Sequence, residues 1–207
     1  MKNKIKIPVF FTRKYWAENW KTSLVNLAIY LAVFTALTLV DLLTKQFIFN
    51  NRAIELDVTN HYEVYRSNFI IFHSIFHRGT TISIGLPEWT LHFVTVLIIL
   101  TTLTVTLFFK DKSFRWTVAA FAMVAAGAFG NMYDRLALGG VRDIIHLPWA
   151  DAGTFNFADA WLVFGGISSL VSIIVVTFWV IPKKNNKESN TKLNLEDFNE
   201  VNFESTT

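Results

Sequence analysis

Residues 157–181 read FADAWLVFGGISSLVSIIVVTFWVI, and apart from Asp159 this run carries no charge. A helix rises about 1.5 Å per residue, so a run of this length outreaches the roughly 30 Å hydrocarbon core of a bilayer. Pro182, Lys183 and Lys184 follow at once and mark its end. Working outward, Leu24–Leu43 is almost wholly apolar and Thr90–Phe109 contains no charge. Phe114–Gly130 is shorter and rich in Ala and Gly, the small residues that let helices approach closely inside lipid. The expected fold is an all-α membrane protein: four transmembrane helices, the third inside the bundle.

Composition supports that reading. Of 207 residues, 52% are apolar and only 17% charged, an excess of apolar surface that a soluble domain does not need. The net charge is +3, with the basic residues in the tails and one short loop, which argues against nucleic acid as a partner. The chain has no cysteine, so disulfides, a thiolate nucleophile and cysteine-ligated zinc are excluded. The first apolar run begins only after a basic tail and no small-residue cleavage site follows it, so this span is expected to be retained.

Lys and Arg collect in the N-terminal tail, around Lys110, Lys112 and Arg115, and at Lys183, Lys184 and Lys187. Four spans put all three clusters on one side, which the positive-inside rule makes cytoplasmic. The expected organisation is a basic, aromatic interfacial tail over 1–22, a membrane domain over 23–182 and a polar, disordered cytoplasmic tail over 183–207. Loops 44–89 and 131–156 then lie outside, in a multi-pass protein of the inner membrane. The first holds His61–Arg66 and Asn68–Phe76, dense in Tyr, Phe, Ile and Val and bounded by Gly79, Gly85 and Pro87. Short strands are expected there, making a small extracytoplasmic β-containing region.

The densest polar information lies between the third and fourth runs: Asn131, Asp134, Arg135, Arg142, Asp143, Asn156 and Asp159. A carboxylate near hydrocarbon is costly as an anion and is retained where it pairs, faces a wet cavity or does chemistry. Asp159 has a plain alternative, because Asn156 or Asp159 at a helix start also serves as a cap. Asp143, however, follows a Gly139-Gly140 turn that folds the loop back over the bundle, which brings a second carboxylate towards Asp159. Two such groups close together share one proton. The anionic member can take a proton from an attacking water, and the protonated member can donate to the developing oxyanion. Other polar residues have plainer readings. His73 and His77 stand four apart, but in a strand-like stretch and with too few partners for a metal site. His146 is either a neighbour of Asp143 or a polar anchor beside Trp149, Arg142 reads as an interface residue, and Arg135 either meets substrate or pairs with Asp134.

The runs GAFGNMYDRLALGGVRDII, residues 127–145, and FNFADAWLVFGG, residues 155–166, resemble the GNxxDRxxxGxVxDF and FNxAD motifs of the lipoprotein signal peptidases, signal peptidase II. The matching positions are Gly130, Asn131, Asp134, Arg135, Gly139, Val141, Asp143, Phe155, Asn156, Ala158 and Asp159. The resemblance spans roughly residues 24–181 and implies four spans with an outward-facing site. It implies Asp143 and Asp159 as the catalytic dyad, Asn131 and Arg135 as contacts to the substrate backbone, and Asp134 and Asn156 as support. Asp41 and Lys45 resemble the family's DxxxK element and join the supporting set. Two departures stand out: His77, Gly79, Thr80, Thr81 and Ile82 occupy the place of an NxGAAF element, and Ile144 replaces a usual Phe.

The implied activity is an aspartic endopeptidase that removes the signal peptide of lipid-modified prolipoproteins, cleaving before the diacylglyceryl cysteine. No cofactor is expected. The partners are the lipid-modified substrates and membrane lipids, with no nucleic acid and no obligate protein partner. A competing class is a small proton- or ion-coupled transporter using Asp41, Asp143 and Asp159. Against it, the acids gather at an outer boundary rather than the midplane, and the spans show no repeat. A different type of intramembrane aspartyl protease would need a GxGD element, which is missing before Asp143.

Overall fold

The computed structural model describes residues 13–49, 62–78, 87–150, 153–189 and 191. The start of the basic tail, the Gly79–Ile82 element and most of the polar C-terminal tail lie outside the described residues. Four helices long and apolar enough to cross a membrane are present among the described residues. They are α1 (Arg13–Phe49), α2 (Glu88–Phe108), α3 (Arg115–Leu138) and α4 (Phe157–Val175). A π-helical turn, Val176–Val180, prolongs α4, and helix continues through Ser189, into the tail over 183–207 that was expected to be disordered.

Small residues decide which helix lies inside. Along α3, Ala120, Ala122, Ala125, Ala126 and Ala128 are buried, and this helix packs against each of the other three. A Cβ built on Gly130 would collide with the carboxylate of Asp41 and come within 3.2 Å of Ala158 Cβ, so α1, α3 and α4 meet only because that position has no side chain. On α4, by contrast, Val163, Phe164, Ile167 and Leu170 are all more than half exposed, as a face turned to lipid requires.

Buried hydroxyls and amides tie the bundle where the hydrophobic effect cannot. Tyr30 on α1 meets Thr102 on α2 at 2.8 Å, and Thr117 on α3 meets Ser172 on α4 at 2.7 Å. A helix end leaves its last carbonyls without intrahelical partners. At the end of α2 these are taken up by α1: Asn26 Nδ2 donates to the Phe109 carbonyl at 2.9 Å, Ser23 to that of Leu107 at 2.8 Å and Tyr15 to that of Phe108 at 3.0 Å.

At the opposite end of the bundle stands a four-stranded antiparallel sheet in the order β1 (Tyr62–Arg66), β2 (Ile71–His77), β3 (Val141–His146), β4 (Thr154–Phe155). It seats on Phe49, Phe76, Ile144 and Ile145, which join it to the end of α1. The first two strands are the expected ones. The other two arise in a stretch read as loop, because every residue from Val141 to Ile145 is buried and no alternation betrays a strand.

The helix ends also differ from those expected. Helix α1 extends past Leu43 and α3 past Gly130, so Lys45, Asn131, Asp134 and Arg135 stand on helices rather than in loops. Both extensions project a polar helix face beneath the sheet, where lipid no longer imposes apolarity.

Candidate active site

Helix α4 begins at the centre of the polar cluster. Asn156 is its N-cap: its side-chain oxygen accepts from the Asp159 amide at 3.0 Å, and the Asp159 carboxylate reaches back to the Asn156 amide at 3.2 Å. This capping box satisfies two of the orphan donors of the helix start. A third, the Ala158 amide, donates to Asp41 Oδ1 across from α1 at 2.8 Å. The capping reading of Asn156 and Asp159 is therefore realised.

Helix α3 ends at Gly139, whose φ of 73° is left-handed and whose amide closes on the Arg135 carbonyl at 3.0 Å. The chain reverses there into β3 and brings Asp143 back over the start of α4. Asn156 Nδ2 then donates to Asp143 Oδ1 at 2.8 Å, while Asn131 Nδ2 on α3 donates to Asp159 Oδ1 at 2.8 Å. Asn156 Nδ2 also lies 3.1 Å from Asn131 Oδ1, so one chain of carboxamides links the two acids. Asp143 is buried and Asp159 is half-buried, so the pair is approached from the Asp159 side.

Beneath them lies a second charged layer. Lys45 Nζ on α1 sits 2.8 Å from Asp41 and 3.3 Å from Asp134, with all three side chains fully inaccessible. Arg142 closes the group, its Nη2 donating to Asp134 Oδ1 at 2.7 Å and its amide to Oδ2 at 3.1 Å. Lys45, Arg142, Asp41 and Asp134 thus form a quartet of two basic and two acidic side chains, a pairing that offsets the cost of burying them. Lys45 also donates to Asn131 Oδ1 at 3.3 Å, which sets the Asn131 amide towards Asp159.

Every expected site residue is accounted for. Asp143, Asp159, Asn131 and Asn156 converge, and Asp41, Lys45 and Asp134 lie directly behind them. Arg135 is half-buried on α3, and its Nη1 donates to the Asn131 carbonyl at 3.2 Å. The salt bridges of Asp134 go instead to Arg142 and Lys45, so Arg142 is a buried structural partner and not an interface residue. His146 does not turn to Asp143: its ring lies beside His73, centroids 5.8 Å apart, with Nδ1 3.3 Å from the Gly153 carbonyl. The histidine at Asp143 is His77, with Nε2 2.9 Å from Oδ2. Sequence reading treated His77 as a departure from a motif and, with His73, as an unpromising metal pair; the pairing of β2 with β3 was the missing signal.

A family model described as Signal peptidase (SPase) II matches residues 33–191. Among curated relatives, a lipoprotein signal peptidase of Aquifex aeolicus (strain VF5) is 31% identical over 172 residues, covering 79% of this chain and 94% of that protein. Lipoprotein signal peptidases of Pseudomonas fluorescens and of Streptococcus pyogenes serotype M5 match more locally. The first is 46% identical over 55 residues, covering 25% of this chain and 32% of that protein; the second is 38% identical over 64 residues, covering 31% and 39%. A bacterial membrane enzyme solved by the in meso method shares the fold at a TM-score of 0.58 and 21% identity, covering 72% of this chain and 89% of the other.

Proposed function

Because the chain belongs to the signal peptidase II family, a family of membrane peptidases, we propose that it removes signal peptides from lipid-modified prolipoproteins by aspartic catalysis at Asp143 and Asp159. The observation that carries this reading is the double engagement of Asn156, whose side chain donates to the Asp143 carboxylate and accepts from the Asp159 amide. A carboxylate has about four acceptor sites, and the contacts above leave lone pairs on both acids open towards the half-buried side.

A water held between them loses a proton to the anionic carboxylate as its oxygen attacks the scissile carbonyl. The protonated carboxylic acid donates to the oxygen of the tetrahedral intermediate. Collapse then breaks the carbon–nitrogen bond: the proton taken from water passes to the leaving amine, and a hydroxyl of the intermediate returns its proton to the acid as the carbonyl re-forms, so the dyad returns with its single proton. Asn131 and Arg135 stand beside the acids on α3, where they are suited to hold the substrate backbone in extended form. No cofactor enters this scheme. The cleaved bond is the one before the diacylglyceryl cysteine, whose acyl chains stay in the membrane.

Orientation follows from charge. Lys110, Lys112, Arg115, Lys183 and Lys184 lie at the end of the bundle away from the sheet, so that end is cytoplasmic and the dyad works at the outer face. Asp41, the deepest of the acids invoked by an ion-coupled transporter, is committed to Lys45 and the Ala158 amide. The transporter alternative therefore has no observation in its favour.

The test uses the full chain in proteoliposomes with a diacylglyceryl-modified prolipoprotein. Asp143→Asn and Asp159→Asn should each lower cleavage by about 10²–10⁴-fold or more, the range a general acid or base contributes. Full cleavage by either variant, in protein still inserted in the membrane, overturns the dyad. A reporter fused after Lys184 should read as cytoplasmic.

A further inference from the structure

His77 closes β2, and its Nε2 stands 2.9 Å from Asp143 Oδ2. The contact is built by the sheet. His77 pairs with Val141 across β2 and β3, and the pleat puts Asp143, two residues on, on the same face and one diagonal away. A Cβ built on Gly140 would stand 2.7 Å from the His77 carbonyl oxygen, so the absence of a side chain at that position lets the start of β3 lie against the end of β2. The His77 side chain is 22% exposed and that of Asp143 only 4%, so the ring is the more accessible of the two.

The two acids consequently differ in their partners. Asp159 is held by neutral donors, the Asn131 carboxamide and the Asn156 amide. Asp143 is held by the Asn156 carboxamide and by a ring that can carry a full positive charge. The other charged groups around the pair, among the described residues, have partners of their own. Lys45 and Asp41 of α1, Asp134 of α3 and Arg142 of β3 neutralise one another. Arg135 of α3 donates to the Asn131 carbonyl. His73 of β2 and His146 of β3 lie together further along the sheet, with Glu63 of β1 opposite His73. Among the described residues, His77 is thus the ionisable side chain that stands against Asp143.

We infer that His77 is a positioning residue that keeps Asp143 as the anionic, water-activating member of the dyad and leaves the shared proton on Asp159. This rests on the dyad reading above. An imidazolium 2.9 Å from a carboxylate oxygen favours the ionised form through charge. A charged ring at this place opposes the uptake of a second proton by the dyad, which would remove its base.

The test compares His77→Gln, His77→Asn and His77→Leu with the parent, all as full chains in proteoliposomes with lipid-modified prolipoprotein, measuring kcat and KM from pH 5 to 8. His77→Gln keeps a neutral donor and should cleave within a few-fold of the parent at pH 8. It should then fall behind on acidification, so that the ratio of parent to variant kcat grows about tenfold by pH 5, with KM unchanged. His77→Asn should behave in the same way, and His77→Leu should be slower at every pH. If the Leu variant does not fold, the Gln and Asn profiles decide. Parallel profiles for parent and both amide variants overturn the inference, whatever their absolute rates. Asp143→Asn run alongside separates the two levels: if it is inactive while the profiles are parallel, only the role of His77 fails, and if it is active, the dyad itself fails.

Discussion

Lys45 Nζ lies 2.8 Å from Asp41, one turn earlier on the same helix, and neither side chain has any accessible surface. The pair sits where α1, α3 and α4 converge, since Asp41 also accepts from the Ala158 amide and Lys45 also meets Asp134. It therefore links the start of the fourth span to the first and carries the layer on which the dyad rests.

Removing one member leaves uncompensated charge inside the protein. Lys45→Met should destabilise the protein by about 3–5 kcal/mol, the usual cost of breaking a buried ion pair from one side. Adding Asp41→Asn should recover part of that loss, so a double-mutant cycle read by denaturant unfolding in mixed micelles should give a coupling well above zero. Additive effects would mean that the quartet is not a single electrostatic unit.

Asn156 performs two tasks that substitution can separate. Asn156→Ala removes both the cap and the donor to Asp143, and should cost about 1 kcal/mol of stability as caps do. Asn156→Ser restores a cap oxygen but cannot reach Asp143. Its thermal transition should approach that of the parent. Cleavage should stay depressed about 10- to 100-fold, the rate equivalent of a lost hydrogen bond to a charged group. Full activity in the Ser variant would reduce Asn156 to a helix cap.

At the far end of the bundle, the Lys184 ammonium 2.8 Å away and the Ser113 amide hold the Asp111 carboxyl down at about 2, against an ordinary 3.8. A lowered carboxyl contributes stability above its unfolded value and loses it as pH falls through its folded one. The stability difference between the parent and Asp111→Asn should therefore be full above about pH 4 and vanish towards pH 2. Both groups are partly exposed, so the difference is small and should shrink further in salt. Thermal scans in detergent across that window check it; a difference that persists at pH 2 would assign the effect to packing.

Four spans, the interior place of the Ala- and Gly-rich third run, and the gathering of acids between the third and fourth runs were legible in the linear chain; the choice of Asp143 and Asp159 as a dyad came with the family resemblance and is a proposal. Each of the three legible features depends on local composition alone: a bilayer demands long apolar runs, close helix packing demands small residues, and a carboxylate beside such runs is too costly to be incidental. Strands β1 and β2 were legible for the same local reason, whereas β3 was hidden by burial on both its faces.

Tertiary structure decided which groups touch. Arg142 was read as surface and turned out buried on Asp134, His146 was a candidate neighbour of Asp143 and turned to His73, and His77 came to the acid instead. Such pairings depend on strand register and on the left-handed turn at Gly139, which join residues 66 positions apart in the case of His77 and Asp143. Composition can say that a charge near lipid must have a partner, but only the packed chain says which one, because partners are chosen by geometry across elements and not by nearness in sequence.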